Sequence, residues 1–130
     1  MSESFEAGRL RHVHPGPLAI ECGPSLVVVR AVEIYPNGTV VTWTCSPAAG
    51  EVARLAQGTP RATVRIEDEH GTAYAPLGES VQGGGRTLFG ASFFGAAPPQ
   101  GISALQIECE VTGALGGGIA LPGRATFLLS

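Results

Sequence analysis

Three histidines and three cysteines are the residues best able to ligate a metal or attack a substrate. His12-Val-His14 in extended chain turns two imidazoles to one side, because side chains two apart on a strand share a face. With His70 they would form a three-histidine metal site with a position open to water, as a metal-dependent hydrolase needs. The competing expectation is exposed histidines in a proline-rich arm and in a turn. No cofactor is expected.

A thiol nucleophile needs a base beside it. Cys45 and Cys109 fall at core positions of alternating apolar segments, where burial keeps a thiol protonated and inert. Cys22, followed by Gly23-Pro24, is the one expected to be exposed. An odd count without Cys-x-x-Cys spacing fits unpaired thiols in a cytoplasmic protein, the location expected here. Glu67/Glu69 and Glu108/Glu110 place carboxylates in pairs, but acid–base work needs one of a pair buried. These pairs alternate with apolar positions and read as solvated charge, with Arg65 or Arg30 as candidate partners across strands.

The remaining counts are exclusions. All eight basic residues are arginine, Asp68 is the only aspartate and Asn37 the only asparagine. Lysine-dependent phosphate loops, Schiff-base chemistry, aspartate dyads and EF-hand calcium loops are therefore absent. There is no Gly-x-Ser-x-Gly elbow for a serine nucleophile. The expectation is that the protein is not an enzyme.

A formal charge of −3, with scattered arginines, lacks the concentrated basic footprint that nucleic acid requires. The acidic, polar start Met1–Glu6 is unlike a signal peptide. The longest purely aliphatic run, Leu26–Val29, is far short of the ~20 residues that span a bilayer. Neither nucleic-acid binding nor membrane insertion is expected.

The elements that must position these groups repeat with period two. Val41, Trp43 and Cys45 alternate with Thr42 and Thr44; Val64 and Ile66 with Thr63, Arg65 and Glu67; Leu105, Ile107, Cys109 and Val111 with Gln106, Glu108 and Glu110. Such alternation is that of strands with one core face and one wet face. Leu26–Tyr35 reads as a central strand covered on both faces. Thr87–Phe94 and Ala125–Leu129 add further strands, with Thr72–Ala75 as a short extra one. Tyr35-Pro-Asn-Gly-Thr39 and Glu69-His-Gly-Thr72 read as tight hairpin turns. Gly83–Gly85, Ala97–Gly101 and Gly113–Pro122 read as loops, the last hosting a short strand at Ile119–Leu121. Glu51–Gln57 is the one helical candidate.

With 19 glycines and 10 prolines supplying the turns, this predicts an all-β, antiparallel sandwich of about six to eight strands. A small β-barrel is the alternative. Residues 1–24 are expected to be an irregular arm or an edge strand, and residues 25–130 a single sandwich domain.

Aromatic residues offer the remaining recognition chemistry. Trp43, Tyr35, Tyr74 and Phe94 are the candidate binding residues for a small ligand or glycan, although the parity of Trp43 favours the core. Phe89 and Phe93 share one face of their strand and Phe94 takes the other. That second face is therefore expected to be covered, by the glycine-rich loops or by another chain.

In order along the chain, Tyr35-Pro-Asn-Gly38, Gly83-Gly-Gly85, Pro98-Pro-Gln-Gly101 and Ile107-Glu-Cys-Glu110 resemble a family of small all-β proteins of actinobacteria. The resemblance spans Leu26 to Leu121. Here Phe93-Phe-Gly-Ala96 stands where that family is tryptophan-rich, and Val111 where a tryptophan often follows Cys-Glu. The resemblance implies an all-β fold and transfers no catalytic residue. The functional expectation is a non-catalytic module for protein–protein interaction or self-association. The alternatives are a ligand-binding sandwich, then the histidine-based metal hydrolase.

Overall fold

The structure is a computed structural model describing residues 9–47, 61–84, 87–112 and 119–129. It contains eight strands: β1 (His12–Cys22), β2 (Ser25–Tyr35), β3 (Gly38–Pro47), β4 (Arg61–Asp68), β5 (Pro76–Gly84), β6 (Thr87–Phe94), β7 (Ala104–Thr112) and β8 (Ala120–Leu128). They form two open antiparallel sheets, ordered β1-β2-β3-β6-β5 and β4-β7-β8. The architecture is the expected all-β sandwich, and the separate sheets replace the barrel alternative. The helical candidate Glu51–Gln57 lies outside the described residues.

Alternation decides the core. Val41, Trp43 and Cys45 of β3 are buried, as are Val64 and Ile66 of β4 and Leu105, Ile107, Cys109 and Val111 of β7. Their polar neighbours in sequence face outward. β1 is an edge strand of the larger sheet and sends Ile20 and Cys22 into the core.

Of the two expected hairpin turns, only the first joins a pair of full strands. Tyr35 pairs with Gly38, so Pro36 and Asn37 are the turn residues between β2 and β3. The Glu69–Thr72 segment also turns tightly, with Gly71 at φ 82° and the Gly71 N–H donating to the Asp68 carbonyl at 3.0 Å. It leads only to an isolated bridge, Glu67 to Ala73, in place of the short strand expected at Thr72–Ala75. The chain then crosses to the other sheet and forms β5, which the sequence does not announce. Pro76-Leu-Gly-Glu-Ser-Val-Gln-Gly-Gly84 has no apolar alternation and is held by pairing with β6. β8 is longer than expected and runs as one strand through Pro122-Gly123.

Two glycines permit the close approaches. A Cβ on Gly123 would lie 2.4 Å from the Glu21 carbonyl oxygen and 2.6 Å from Cys22 Sγ, so β8 passes directly over the end of β1. A Cβ on Gly90 would lie 2.2 Å from the Trp43 ring. Side chains of ordinary size at either position would force the strands apart.

Candidate functional site

The sole aspartate organises a turn. Asp68 ends β4, where its carboxylate is buried and accepts three hydrogen bonds. Two come from the backbone N–H groups of His70 (2.9 Å) and Thr72 (3.1 Å), and one from the Tyr74 hydroxyl (3.2 Å). Burial opposes its charge, but the three donors outweigh it and hold the carboxyl below its ordinary pKa. Burial, then the Asp68 charge and hydrogen bond, push the Tyr74 hydroxyl far upward. Every acceptor direction in use serves the fold, which makes this cluster a lock on the turn. Next to it, Glu69 accepts from the Ser103 N–H and hydroxyl, tying this turn to the approach of β7.

The three-histidine site is not assembled. His12 and His14 do share a side of β1, with ring centroids 4.2 Å apart. Partial burial, then the neighbouring His12, lower the His14 pKa. His70 sits in the turn of the other sheet, its N–H taken by Asp68. Among the described residues, no group of three or more His, Cys, Asp or Glu could hold a metal ion.

All three cysteines are free and buried, Cys22 included, which corrects its expected exposure. Gly23-Pro24 does make a turn, but β8 lies across it, and the Cys22 thiol points at the Cys109 carbonyl at 3.9 Å. Burial raises all three thiols, Cys45 to about 11 and Cys109 to about 12, so thiolate chemistry is suppressed.

The aromatic candidates divide. Trp43 is 1% exposed and donates its indole N–H to Ser92 Oγ at 3.0 Å; Tyr74 and Phe94 are also buried. None of these three can serve as an open stacking platform: parity turns Trp43 and Phe94 between the sheets, and Tyr74 is buried with its hydroxyl bonded to Asp68. Tyr35 is on the outer side of the larger sheet, where its hydroxyl donates to Glu33 at 2.9 Å. Phe93 packs there with Val40, Tyr35 and Ala91. Phe89, which is not among the expected binding residues, is the most open Phe, Tyr or Trp among the described residues, at 50% exposure. Its parity, shared with Phe93 and opposite to Phe94, was the signal.

The two outer faces differ in chemistry. On the smaller sheet, Arg65, Glu108 and Arg124 form a cross-strand row, so Arg65 does stand opposite a carboxylate as anticipated. Arg124 Nε is 3.8 Å from Glu108 Oε1 and donates to Gln106 at 3.2 Å. This row, with Thr63, Glu110 and Pro122, borders a depression of about 390 Å³. The outer face of the larger sheet is different. Register places Val28, Thr44, Phe89 and Gln82 in one row across β2, β3, β6 and β5, and Ala31, Thr42, Ala91 and Ser80 in the next. Neither β3 nor β6 contains a charged residue.

No helix among the described residues is long and apolar enough to cross a membrane. No protein-family model matches the chain, and no curated protein matches it. The fold is similar to the crystal structure of a conserved domain protein from Bacillus anthracis, with a TM-score of 0.74 at 12% sequence identity. That likeness covers 92% of this chain and 50% of the neighbour, so the chain spans half the neighbour's length. At that identity the shared property is the fold.

Proposed function

We propose that the protein is a non-catalytic interaction module that docks a protein partner on the outer face of its five-stranded sheet. The observation that carries this reading is Phe89, half exposed in the middle of two adjacent strands that carry no charge. A large aromatic on the uncharged β3–β6 part of a sheet face loses more by staying in water than by being covered, and such patches mark docking sites. The polar groups elsewhere support the same reading: Asp68 is spent on a turn, the thiols are buried, and the charged row of the smaller sheet is solvated.

The ligand-binding alternative relies on Trp43, Tyr35, Tyr74 and Phe94; three of these rings are buried, which leaves it only Tyr35, part-buried on the outer face. The metal-hydrolase alternative relied on His12, His14 and His70 converging.

The test is an affinity pull-down from the native cell read by mass spectrometry, comparing the wild-type chain with Phe89→Arg. A partner, a second copy included, should be recovered with the wild type and lost with the variant. An identical recovered set in both would overturn the reading.

A further inference from the structure

The interaction reading leaves open what covers Phe89, and the fold narrows the choice. We infer that the outer face of the five-stranded sheet pairs with the same face of a second copy, around a two-fold axis running along β3. This rests on the docking reading above and names its partner.

The edges come first, because sheet proteins most readily associate through them. β1 carries Pro15 and Pro17 and a register shift between Pro15 and Leu18. β5 begins with Pro76, is irregular before Gly78, and turns Glu79 to the core side beside Ser92. β4 alternates Arg61, Arg65 and Glu67 outward, and β8 contains Pro122. Each edge strand carries a feature that disfavours an added strand, so a copy is steered to a face.

Of the two outer faces, that of the smaller sheet is crossed by Arg65, Glu108 and Arg124. The face of the larger sheet offers shape and area. Five strands about 4.8 Å apart and eight residues at about 3.4 Å present about 650 Å² per copy, or about 1,300 Å² for two. That falls within the range of about 1,200–2,000 Å² buried by stable interfaces.

Symmetry then selects the axis. β3 is the central strand of the order β1-β2-β3-β6-β5. A two-fold along it lays β2 on β6 and β1 on β5, as two sheets stack in a sandwich. Among the described strand residues, the charges of this face, Glu21, Arg30 and Glu33, all lie on β1 and β2. They meet the half of the partner face that carries none, so no like charges are opposed. Thr42 and Thr44 fall on the axis, and Phe89 lies against Val28 of the partner subunit, in the row they share with Thr44.

Sedimentation equilibrium of the full chain up to about 500 μM tests this. The wild type should be a dimer. Phe89→Arg should weaken self-association about tenfold or more, whereas Val81→Arg should not, since Val81 is similarly exposed but lies on the other side of the sheet. Circular dichroism checks folding; if Phe89→Arg is unfolded, Thr44→Arg takes its place. Phe89→Glu combined with Val28→Lys should restore the dimer, as only the two-fold brings these side chains together between copies. A wild type that stays monomeric, or a dimer that Val81→Arg alone dissolves, overturns the inference. A monomer that still captures another protein through Phe89 overturns the second copy and leaves the docking reading standing. A monomer that captures nothing overturns both.

Discussion

Trp43 lies across Gly90. The two residues are partners in the β3–β6 ladder, and a Cβ on the glycine would stand 2.2 Å from Cζ2 of the indole. The largest side chain of the core therefore fits because its cross-strand neighbour has none. Its N–H is then close enough to the next core-facing residue of β6, Ser92, to be satisfied. Packing and hydrogen bonding at the centre of the sandwich depend on one missing methyl group.

Gly90→Ala should destabilise the fold by about 1–3 kcal/mol, the usual cost of forcing extra volume into a packed core. Gly95→Ala is the control, because its Cβ would meet Leu77 at 3.4 Å or more, an ordinary contact. Urea titrations read by the fluorescence of the single tryptophan measure both. Equal midpoints for the two variants would contradict this account of Gly90.

Ser92→Ala strands the indole N–H in a buried site and should cost about 1–3 kcal/mol, the penalty for an unsatisfied buried donor. Trp43→Phe removes the donor as well, so Ser92→Ala made in that background should cost less. A double-mutant cycle in urea gives the coupling, and a value of zero would show the hydrogen bond to be inconsequential.

Asp68 and Glu69 both have folded pKa values below their ordinary ones. Their contribution to stability is complete above the ordinary carboxylate range and is lost as pH falls through the depressed folded values. Asp68→Asn should be less stable than the wild type at pH 7, with the gap narrowing towards pH 2 as the wild-type carboxylate protonates. A gap that stayed constant with pH would mean that the charge of Asp68 does not matter to the turn.

The three thiols should resist modification in the folded protein. Burial raises Cys22, holds Cys45 near 11 and Cys109 near 12, and leaves little thiolate at pH 8. Reaction with an aromatic disulfide reagent should track opening of the fold and accelerate in step with added urea. Rapid native labelling of one thiol would place that cysteine at the surface.

Much of the fold was legible because period-two alternation is a local property. The buried sets of β3, β4 and β7 come from parity alone, and the Asp68 turn from its glycine. β5 was not legible, since a strand of proline, glycine, serine and glutamine exists only through its pairing with β6. Phe89 was half legible: parity opposed it to Phe94, but parity does not say which side of a strand another sheet will cover.

By itself the sequence determined an all-β chain in which the segments that became β3, β4 and β7 have a core side and an outer side, whereas Leu26–Tyr35, expected to be covered on both faces, alternates only in the structure. It also removed the chemistry that depends on lysine or paired aspartates. Tertiary structure decided which strands became neighbours, and thereby the fate of particular groups. Cys22 is buried because β8 crosses it at Gly123, His70 is parted from His12 and His14 by belonging to the other sheet, and Trp43 is enclosed above Gly90. The physical reason is that alternation is written within each strand, whereas the partner across a ladder, or across the gap between sheets, is set by long-range pairing.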